Sequence, residues 1–198
     1  MPGRRLHVRP LRHGKRLQLL LTPPAPDRPA FRYDSYCGLY CGACDILQAY
    51  RHGLETQRTP EWSDLPERFR KHLPAQNADI RCHGCKSDTV FRGCARCPMR
   101  SCARKRGNVE LCVDCADYPC LRTRLLGLVV RLMSLERKLP HQRVRRANQE
   151  RIRCVGLAEW LVEQDRRWRC PQCGTLFSWY RATCPQCGRE LDSLKGFG

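Results

Sequence analysis

The stretch of sequence that decides how this chain folds lies at residues 170–188 and reads CPQCGTLFSWYRATCPQCG. It contains two copies of a Cys-Pro-Gln-Cys-Gly knuckle, with ten residues between the second cysteine of one copy and the first cysteine of the next. Each knuckle directs two thiolates at one ion, and its glycine permits the positive φ that lets backbone N–H groups approach sulfur. Four thiolates complete the tetrahedral shell of zinc, so the stretch predicts a closed, structural zinc site with the ligands Cys170, Cys173, Cys184 and Cys187.

The apolar residues between the two knuckles predict a short β-hairpin, which together with the knuckles would make a zinc ribbon over residues 166–198. These apolar residues are Leu176, Phe177, Trp179 and Tyr180. Zinc binding in peptides of this kind contributes on the order of 10–16 kcal/mol, enough to fold a segment too short to have its own core. We interpret the ribbon as a structural staple rather than a docking module, because no dense basic stripe lies inside it.

The whole chain is unusually rich in cysteine, with 16 among 198 residues. No apolar run is long enough for a secretory signal or a membrane span, so a cytoplasmic protein with reduced thiols is expected. Clustered reduced thiols bind metal, and metal binding is therefore favoured over disulfides. Cross-linking by metal would also make up for a small hydrophobic core.

The distribution of charge argues against nucleic-acid binding by the part of the chain that follows residue 35. The formal net charge is +18, but sixteen thiolates around four zinc ions would lower it to about +10. Residues 1–35 carry eight of the basic residues against two acidic ones. Because basic sequence interrupted by proline cannot bury enough apolar surface to order itself, residues 1–35 predict a disordered basic tail.

Twelve further cysteines precede the ribbon, and most of them are spaced as pairs that would share an ion. The candidate ligands among them are Cys37, Cys41, Cys44, Cys82, Cys85, Cys97, Cys102, Cys112, Cys115 and Cys120. One predicted grouping is Cys82, Cys85, Cys97 and Cys102, and a second combines Cys41 or Cys44 with Cys112 and Cys115. With the ribbon, this predicts about three zinc ions, or four if the remaining cysteines form a further site.

Four motifs in this region resemble a known family. They are Cys37-Gly-Leu-Tyr-Cys41-Gly-Ala-Cys44-Asp45, Cys82-His-Gly-Cys85-Lys86, Met99-Arg-Ser-Cys102-Ala-Arg-Lys-Arg-Gly107 and Cys112-Val-Asp-Cys115-Ala-Asp-Tyr-Pro-Cys120. In this order they resemble the cysteine-rich family of domain of unknown function 3795, over about residues 36–125. The resemblance implies zinc binding in a bacterial or archaeal protein and supplies no reaction. Cys94 is additional to the family pattern, and the ribbon lies outside it as an appended module.

Several helices are expected around the cysteines. Asp45–Tyr50 and Glu61–Leu73 have apolar faces, and Val144–Arg153 and Leu157–Gln164 suggest two more, broken at Gly156. A long amphipathic helix is predicted to end before Pro140, with leucines in 4-3-4-3-4 spacing and arginines elsewhere around it. We expect these leucines to pack on their own domain rather than to form a dimer seam. They are Leu121, Leu125, Leu128, Leu132, Leu135 and Leu139.

These observations predict a small, metal-stabilised α+β fold: a loop-rich cysteine-cluster domain with several α-helices and a C-terminal β-hairpin zinc ribbon. The tail is assigned to residues 1–35, the metal-binding domain to 36–125, a helical segment packing on that domain to 121–165, and the ribbon to 166–198. The oligomeric state is not readable from the sequence.

The function that the sequence favours is a binding or regulatory protein with structural four-cysteine zinc sites that contacts a protein or a nucleic acid. No nucleophile–base constellation and no phosphate-binding glycine loop is present, so a binding protein is favoured over an enzyme. The spacing of Cys37, Cys41 and Cys44 is that of radical S-adenosylmethionine enzymes, but the chain is too short for their barrel. The alternative that stays open is an iron–sulfur redox protein built on the amino-side cysteines.

Overall fold

The computed structural model describes residues 30–72 and 79–192, and the fold is that of the compact unit Phe31–Gly198. Within the described ranges the chain forms eight α-helices joined by loops and short 3₁₀ turns. In chain order the helices are α1 (Asp45–Glu55), α2 (Glu67–Lys71), α3 (Arg92–Ala95), α4 (Pro98–Arg106), α5 (Leu121–Leu132), α6 (Leu135–Lys138), α7 (Arg145–Val155) and α8 (Leu157–Arg167). The 3₁₀ turns are Cys41–Ala43, Trp62–Asp64, Cys112–Asp114 and Pro140–Gln142.

Helix boundaries follow local chemistry. Helix α4 begins with Pro98 at its first position, where the missing N–H costs no hydrogen bond, and it ends at Gly107 with φ +73°. Gly156, at φ +84°, separates α7 from α8 as the sequence predicts. Helix α1 confirms the predicted helix at Asp45 and extends it to Glu55, whereas the predicted helix from Glu61 is divided into a 3₁₀ turn and α2.

The predicted α+β fold with a β-hairpin is wrong. The described part of the chain contains no strand, sheet or hairpin, and its only β pairings are two isolated bridges, Arg169 with Leu176 and Thr183 with Glu190. Each bridge closes one knuckle on itself. Between the knuckles the chain turns into the core instead of pairing: the N–H of Trp179 donates to the carbonyl of Ala43, 2.9 Å away. Burial of the aromatic side chains therefore replaces the expected strand pairing.

One hydrophobic core joins the cysteine-rich segment to the C-terminal segment. Trp160 of α8 is fully buried at its centre, where its ring meets Tyr40 edge to face with centroids 6.1 Å apart. Residues from both ends of the described chain surround it, and they include Ala43, Ile46, Ile80, Phe91, Val113, Ile152, Trp168, Phe177, Trp179 and Tyr180. The residues predicted to form a ribbon thus share a core with the cysteine-rich segment.

The prediction that the leucine stripe packs on its own domain is wrong for the first four of its six leucines. Leu121, Leu125, Leu128 and Leu132 are 79%, 56%, 52% and 74% exposed. The long helix is broken at Ser134, which adopts a left-handed conformation with φ 52° and ψ 31°. This turn redirects the chain, so that Leu139 at the end of the predicted stripe is buried.

Two further sequence predictions meet the structure only in part. Residues 1–29 of the predicted tail lie outside the described residues, whereas Asp34 and Ser35 at its end are buried. In the portions that the structure covers, no helix has the length and apolar character needed to cross a membrane.

Candidate metal centres

The two C-terminal knuckles have the same backbone geometry. In the first, the N–H of Gly174 donates to the carbonyl of Cys170 at 2.8 Å, and in the second, Gly188 donates to Cys184 at 3.0 Å. Both glycines have positive φ, +74° and +71°, as the sequence predicts. Because glycine has no Cβ, it adopts this positive φ without a steric penalty and closes the turn. The two thiols of each knuckle then lie on the same side.

These knuckles bring four sulfurs together, and we refer to Cys170, Cys173, Cys184 and Cys187 as the C-terminal set. Sγ of Cys170 lies 3.6 Å from Sγ of Cys187, and Sγ of Cys173 lies 3.5 Å from Sγ of Cys184. A tetrahedron with Zn–S bonds of about 2.3 Å has edges of about 3.8 Å, so both distances suit one zinc ion. In the described residues, this is the group of potential ligands whose atoms all lie within 4.8 Å of one another.

Hydrogen bonds prepare part of this set for ionisation. The Thr175 hydroxyl, 3.3 Å from Cys173 Sγ, and the Thr175 N–H lower the pKa of Cys173 to about 6. The Cys173 N–H likewise lowers the pKa of Cys170. At Cys187 the Arg189 N–H lowers the pKa, but desolvation and the neighbouring thiols prevail and raise it to about 12. A cation bound among the four sulfurs would displace the remaining protons.

The segment between the knuckles ties the C-terminal set to the rest of the fold. The Ser178 hydroxyl donates to Oδ1 of buried Asp45 at 2.6 Å, and burial raises the pKa of that carboxyl to about 7. Trp179 stacks on His141 with ring centroids 4.3 Å apart, and His141 Nδ1 lies 2.5 Å from the Tyr180 hydroxyl. The position of the C-terminal set therefore depends on contacts with α1 and with the turn before α7.

The amino-side cysteines approach one another without meeting in the same way. Cys41 interacts electrostatically with Cys85, Cys44 and Cys82. Cys94 of α3, which the sequence analysis did not assign, interacts with Cys44 and Cys82. Burial is the largest influence on these thiols and raises the pKa of Cys44 and that of Cys85 to about 12. Such thiols stay protonated unless a cation replaces the proton.

Of the seven remaining amino-side cysteines, four form a group, Cys37 and Cys97 interact with each other and with Cys85, and Cys154 lies exposed on α7. Cys37, whose Sγ lies 3.4 Å from the Ser35 hydroxyl, interacts electrostatically with Cys97 at the start of α4. The group of four, which we call the cavity set, lines one cavity between α4 and the start of α5 and consists of Cys102, Cys112, Cys115 and Cys120. This grouping differs from the predicted ones, which placed Cys102 with Cys82, Cys85 and Cys97.

Close backbone approach shapes the loops that carry these cysteines. Gly84, between Cys82 and Cys85, has φ +114°, and a Cβ there would lie 1.8 Å from the carbonyl oxygen of Arg32. Only glycine admits the segment at Arg32, whose N–H donates to the His83 carbonyl at 2.7 Å. Arg100 of α4 donates to the Cys85 carbonyl at 2.9 Å and so fixes this loop to α4.

A buried ion cluster follows Cys85, and the sequence analysis missed it. Lys86 Nζ lies 2.6 Å from Asp34 Oδ2 and 2.5 Å from Glu110 Oε1, with the Lys86 and Asp34 side chains only 4% and 5% exposed. Burial tends to raise the pKa of Asp34, but the hydrogen bonds from Lys86 and Arg32 outweigh it and the pKa is lowered. A lysine directly after a cysteine knuckle was the only sequence signal, and it did not identify its partners.

The segment that carries the amino-side cysteines is similar to a known protein family. Residues 33–125 match the family model described as protein of unknown function (DUF3795). The resemblance expected for residues 36–125 is confirmed. The DUF3795 region contains every amino-side candidate ligand, whereas the C-terminal set lies outside it. Neither the curated proteins nor the solved structures contain a match to this chain.

Proposed function

We propose that this chain is a zinc-stabilised binding protein that docks a partner protein along helix α5. The observation that carries the proposal is the exposed apolar side of that helix, which we call the leucine face: Leu121, Leu125, Leu128, Val129, Leu132 and Met133. All six side chains are exposed, between 38% and 79%. A contiguous apolar surface of this kind on a protein marks an interaction site more often than scattered single residues do.

Zinc in the C-terminal set supports this role by holding the fold together. The sulfur–sulfur distances of 3.5 and 3.6 Å suit one tetrahedral ion, and four thiolates leave no position for a substrate or water. A closed site of this type is structural. The ion would stabilise the shared hydrophobic core, and α5 is attached to the rest of the chain through its buried Val130.

The geometry of α5 separates the leucine face from the side that meets the protein. With 3.6 residues per turn, Gly127 and Val130 lie opposite Leu125 and Leu128. Val130 is buried, at 2% exposure, and Gly127 lines the groove between α5 and α7. Helix α5 is therefore attached through one side, and its leucine face is directed away from the rest of the chain.

Charge indicates which partner fits the leucine face. Helix α5 contains Arg122, Arg124 and Arg131 and no acidic residue. All three arginines are exposed, and none forms an ion pair with another described residue. A second copy of α5 would bring like charges together along both edges, which is unfavourable. The matching occupant is an amphipathic helix of another protein, apolar on one side and acidic along its edges.

The test uses a fluorescent peptide designed as an amphipathic helix, with leucines in 4-3-4 spacing and glutamates beside them. We expect the wild-type protein to bind it in anisotropy measurements, and Leu125→Glu to weaken binding by about tenfold or more. The matched control is Leu54→Glu, which places the same charge at an exposed leucine of α1 and leaves binding unchanged. Raising the salt concentration should weaken binding, because the arginine contacts are exposed.

Three results would overturn the proposal. Equal binding of a peptide with lysines in place of the glutamates would remove the charge argument. Sedimentation showing a dimer that Leu128→Glu dissociates would assign the leucine face to self-association. Binding of RNA or of anionic vesicles, without binding of the acidic peptide, would assign the arginines of α5 to a different class of partner.

A further inference from the structure

A second cysteine site lies apart from the C-terminal set and is built differently. The cavity set surrounds a cavity of about 30 Å³, and three separate elements supply its thiols. Cys102 lies in α4, Cys112 begins a 3₁₀ turn that ends before Cys115, and Cys120 immediately precedes α5. Four thiols that line one cavity from three elements are unusual without a common ligand, because each would otherwise gain more from burial in the core.

Backbone hydrogen bonds hold these elements in place. The Cys112 N–H donates to the Tyr36 carbonyl at 2.8 Å, and the Cys115 N–H donates to the Cys112 carbonyl at 3.2 Å. The Tyr118 N–H then donates to the Cys115 carbonyl at 2.9 Å, which directs the chain back toward the start of α5. The loop is thus shaped by its backbone and presents its thiols to the cavity.

The spacing of the cavity set distinguishes it from a single-ion site. Its four sulfurs do not all lie within 4.8 Å of one another, as those of the C-terminal set do. A single zinc ion requires edges of about 3.8 Å, whereas an iron–sulfur cluster spreads its four cysteine ligands around a larger core.

The surroundings of the cavity suit a negatively charged cluster. Arg106 Nη1 lies 3.3 Å from Cys115 Sγ while its Nη2 pairs with Asp117 Oδ2 at 2.5 Å, and the walls between the thiols include the apolar side chains of Met99, Ala103 and Val109. At the start of α5 the Thr123 N–H is directed at the Cys120 thiol. A cation, apolar walls and N–H donors to sulfur are the features by which proteins stabilise iron–sulfur clusters.

We propose that this cavity holds an iron–sulfur cluster, ligated by Cys102, Cys112, Cys115 and Cys120. The proposal does not depend on docking along α5. Its four ligands lie between residues 102 and 120 of the region that matches the family model, and the cluster needs no partner protein. It also makes the chain a protein with two kinds of metal centre, one zinc ion in the C-terminal set and one cluster in the cavity set.

The test is metal and sulfide analysis of full-length protein purified without oxygen and reconstituted with iron and sulfide. We expect wild-type protein to contain zinc together with iron and acid-labile sulfide, and to show visible absorption. Cys112→Ser and Cys120→Ser should lose the iron, sulfide and colour and keep the zinc. Cys154→Ser is the matched control, because Cys154 is exposed on α7 outside both sets, and it should keep both metals.

Three outcomes would overturn the proposal. One is wild-type protein that binds zinc alone after reconstitution. Another is Cys112→Ser and Cys120→Ser protein that keeps the full iron content. A third is iron that is lost from Cys44→Ser but not from Cys120→Ser, which would place the cluster at the other amino-side cysteines. Circular dichroism checks that each variant is folded, and Cys120→Ser is the safer variant because its thiol lies at the start of a helix rather than in the core.

Discussion

The C-terminal set and the amino-side cysteines achieve thiol clustering in opposite ways. In the C-terminal set, two short knuckles of identical backbone geometry place sulfurs 3.5 and 3.6 Å apart. The amino-side cysteines come from loops, two 3₁₀ turns and helices, and backbone hydrogen bonds and the ion cluster around Lys86 hold these segments. Short local motifs therefore create a compact site, whereas dispersed cysteines create larger sites that depend on the path of the whole chain.

Removing the zinc ion proposed for the C-terminal set gives the largest expected effect. Zinc binding contributes on the order of 10–16 kcal/mol, as much as the entire stability of a typical domain, so Cys184→Ala should abolish cooperative thermal unfolding. Near-ultraviolet circular dichroism should report the loss, because Trp179 and Tyr180 lie in the core between the knuckles. Cys154→Ala serves as control. An unchanged melting curve in zinc-free protein would show that the C-terminal set is not a structural centre.

The amino-side region should instead be sensitive to its ion cluster. Lys86→Ala leaves buried Asp34 with Arg32 as its remaining cation, and losing one partner of a buried charged group costs about 1–3 kcal/mol of unfolding free energy. Denaturant unfolding of zinc-loaded protein measures it, and zinc content should not change.

The control for this prediction is Lys71→Ala, which breaks an exposed pair with Glu67 on α2 and should change stability little. Equal effects of the two lysine substitutions would contradict a structural role for the buried cluster. Loss of zinc from Lys86→Ala would contradict the expectation that the ion cluster stabilises the amino-side region alone.

The contact between Ser178 and Asp45 joins the two regions, and a double-mutant cycle measures how strongly. Ser178→Ala removes the hydroxyl that donates to Asp45 Oδ1 and should cost about 1–3 kcal/mol, because the carboxyl stays buried. Combined with Asp45→Asn, the two changes should be non-additive. Additive effects on unfolding free energy would mean that the regions are stabilised separately.

The smallest effect is a pH dependence that belongs to the C-terminal side of the core. Burial, together with Arg145, lowers the pKa of His141 from 6.5 to about 3. Between pH 6.5 and 3 the His141 imidazole is therefore protonated in the unfolded chain and neutral in the folded one. The free energy of unfolding is highest above pH 6.5 and decreases as the pH falls toward 3. Between about pH 7.5 and 5.5 the wild type should lose about 1 kcal/mol more than His141→Gln.

Urea unfolding at several pH values tests this difference, and His52→Gln provides the control, because His52 is exposed on α1. If the unfolding free energy of wild type and of His141→Gln has the same pH dependence, the pKa of His141 does not differ between the folded and unfolded states. Keeping the pH above 5.5 limits proton competition for the thiolates.

The sequence predicted best where neighbours in the chain are also neighbours in space. The C-terminal set and the break at Gly156 depend on a few adjacent residues, and both were identified from spacing. The grouping of Cys102 with Cys112, Cys115 and Cys120 depends on how α4 returns the chain, which spacing does not contain. The apolar residues between the knuckles predicted a hairpin, but in the structure they are buried against the residues before α1 and against His141.

Periodicity also shows that α5 is amphipathic without showing which side meets the rest of the protein. The leucines were expected to pack inward because an apolar side usually does. In the structure, Val130 provides the inward contact, and the larger leucines are left outside. A helix that contacts its domain through one small buried residue and leaves its leucines exposed has the same hydrophobic periodicity as a helix whose leucines pack on the core.

The left-handed turn at Ser134 has a consequence for timing. It ends the apolar row at Leu132 and Met133, so the row is about 16 Å long, or three helical turns. A contact of that length belongs to the small interfaces, which separate quickly. A partner bound to this row alone would have a short residence time on the protein.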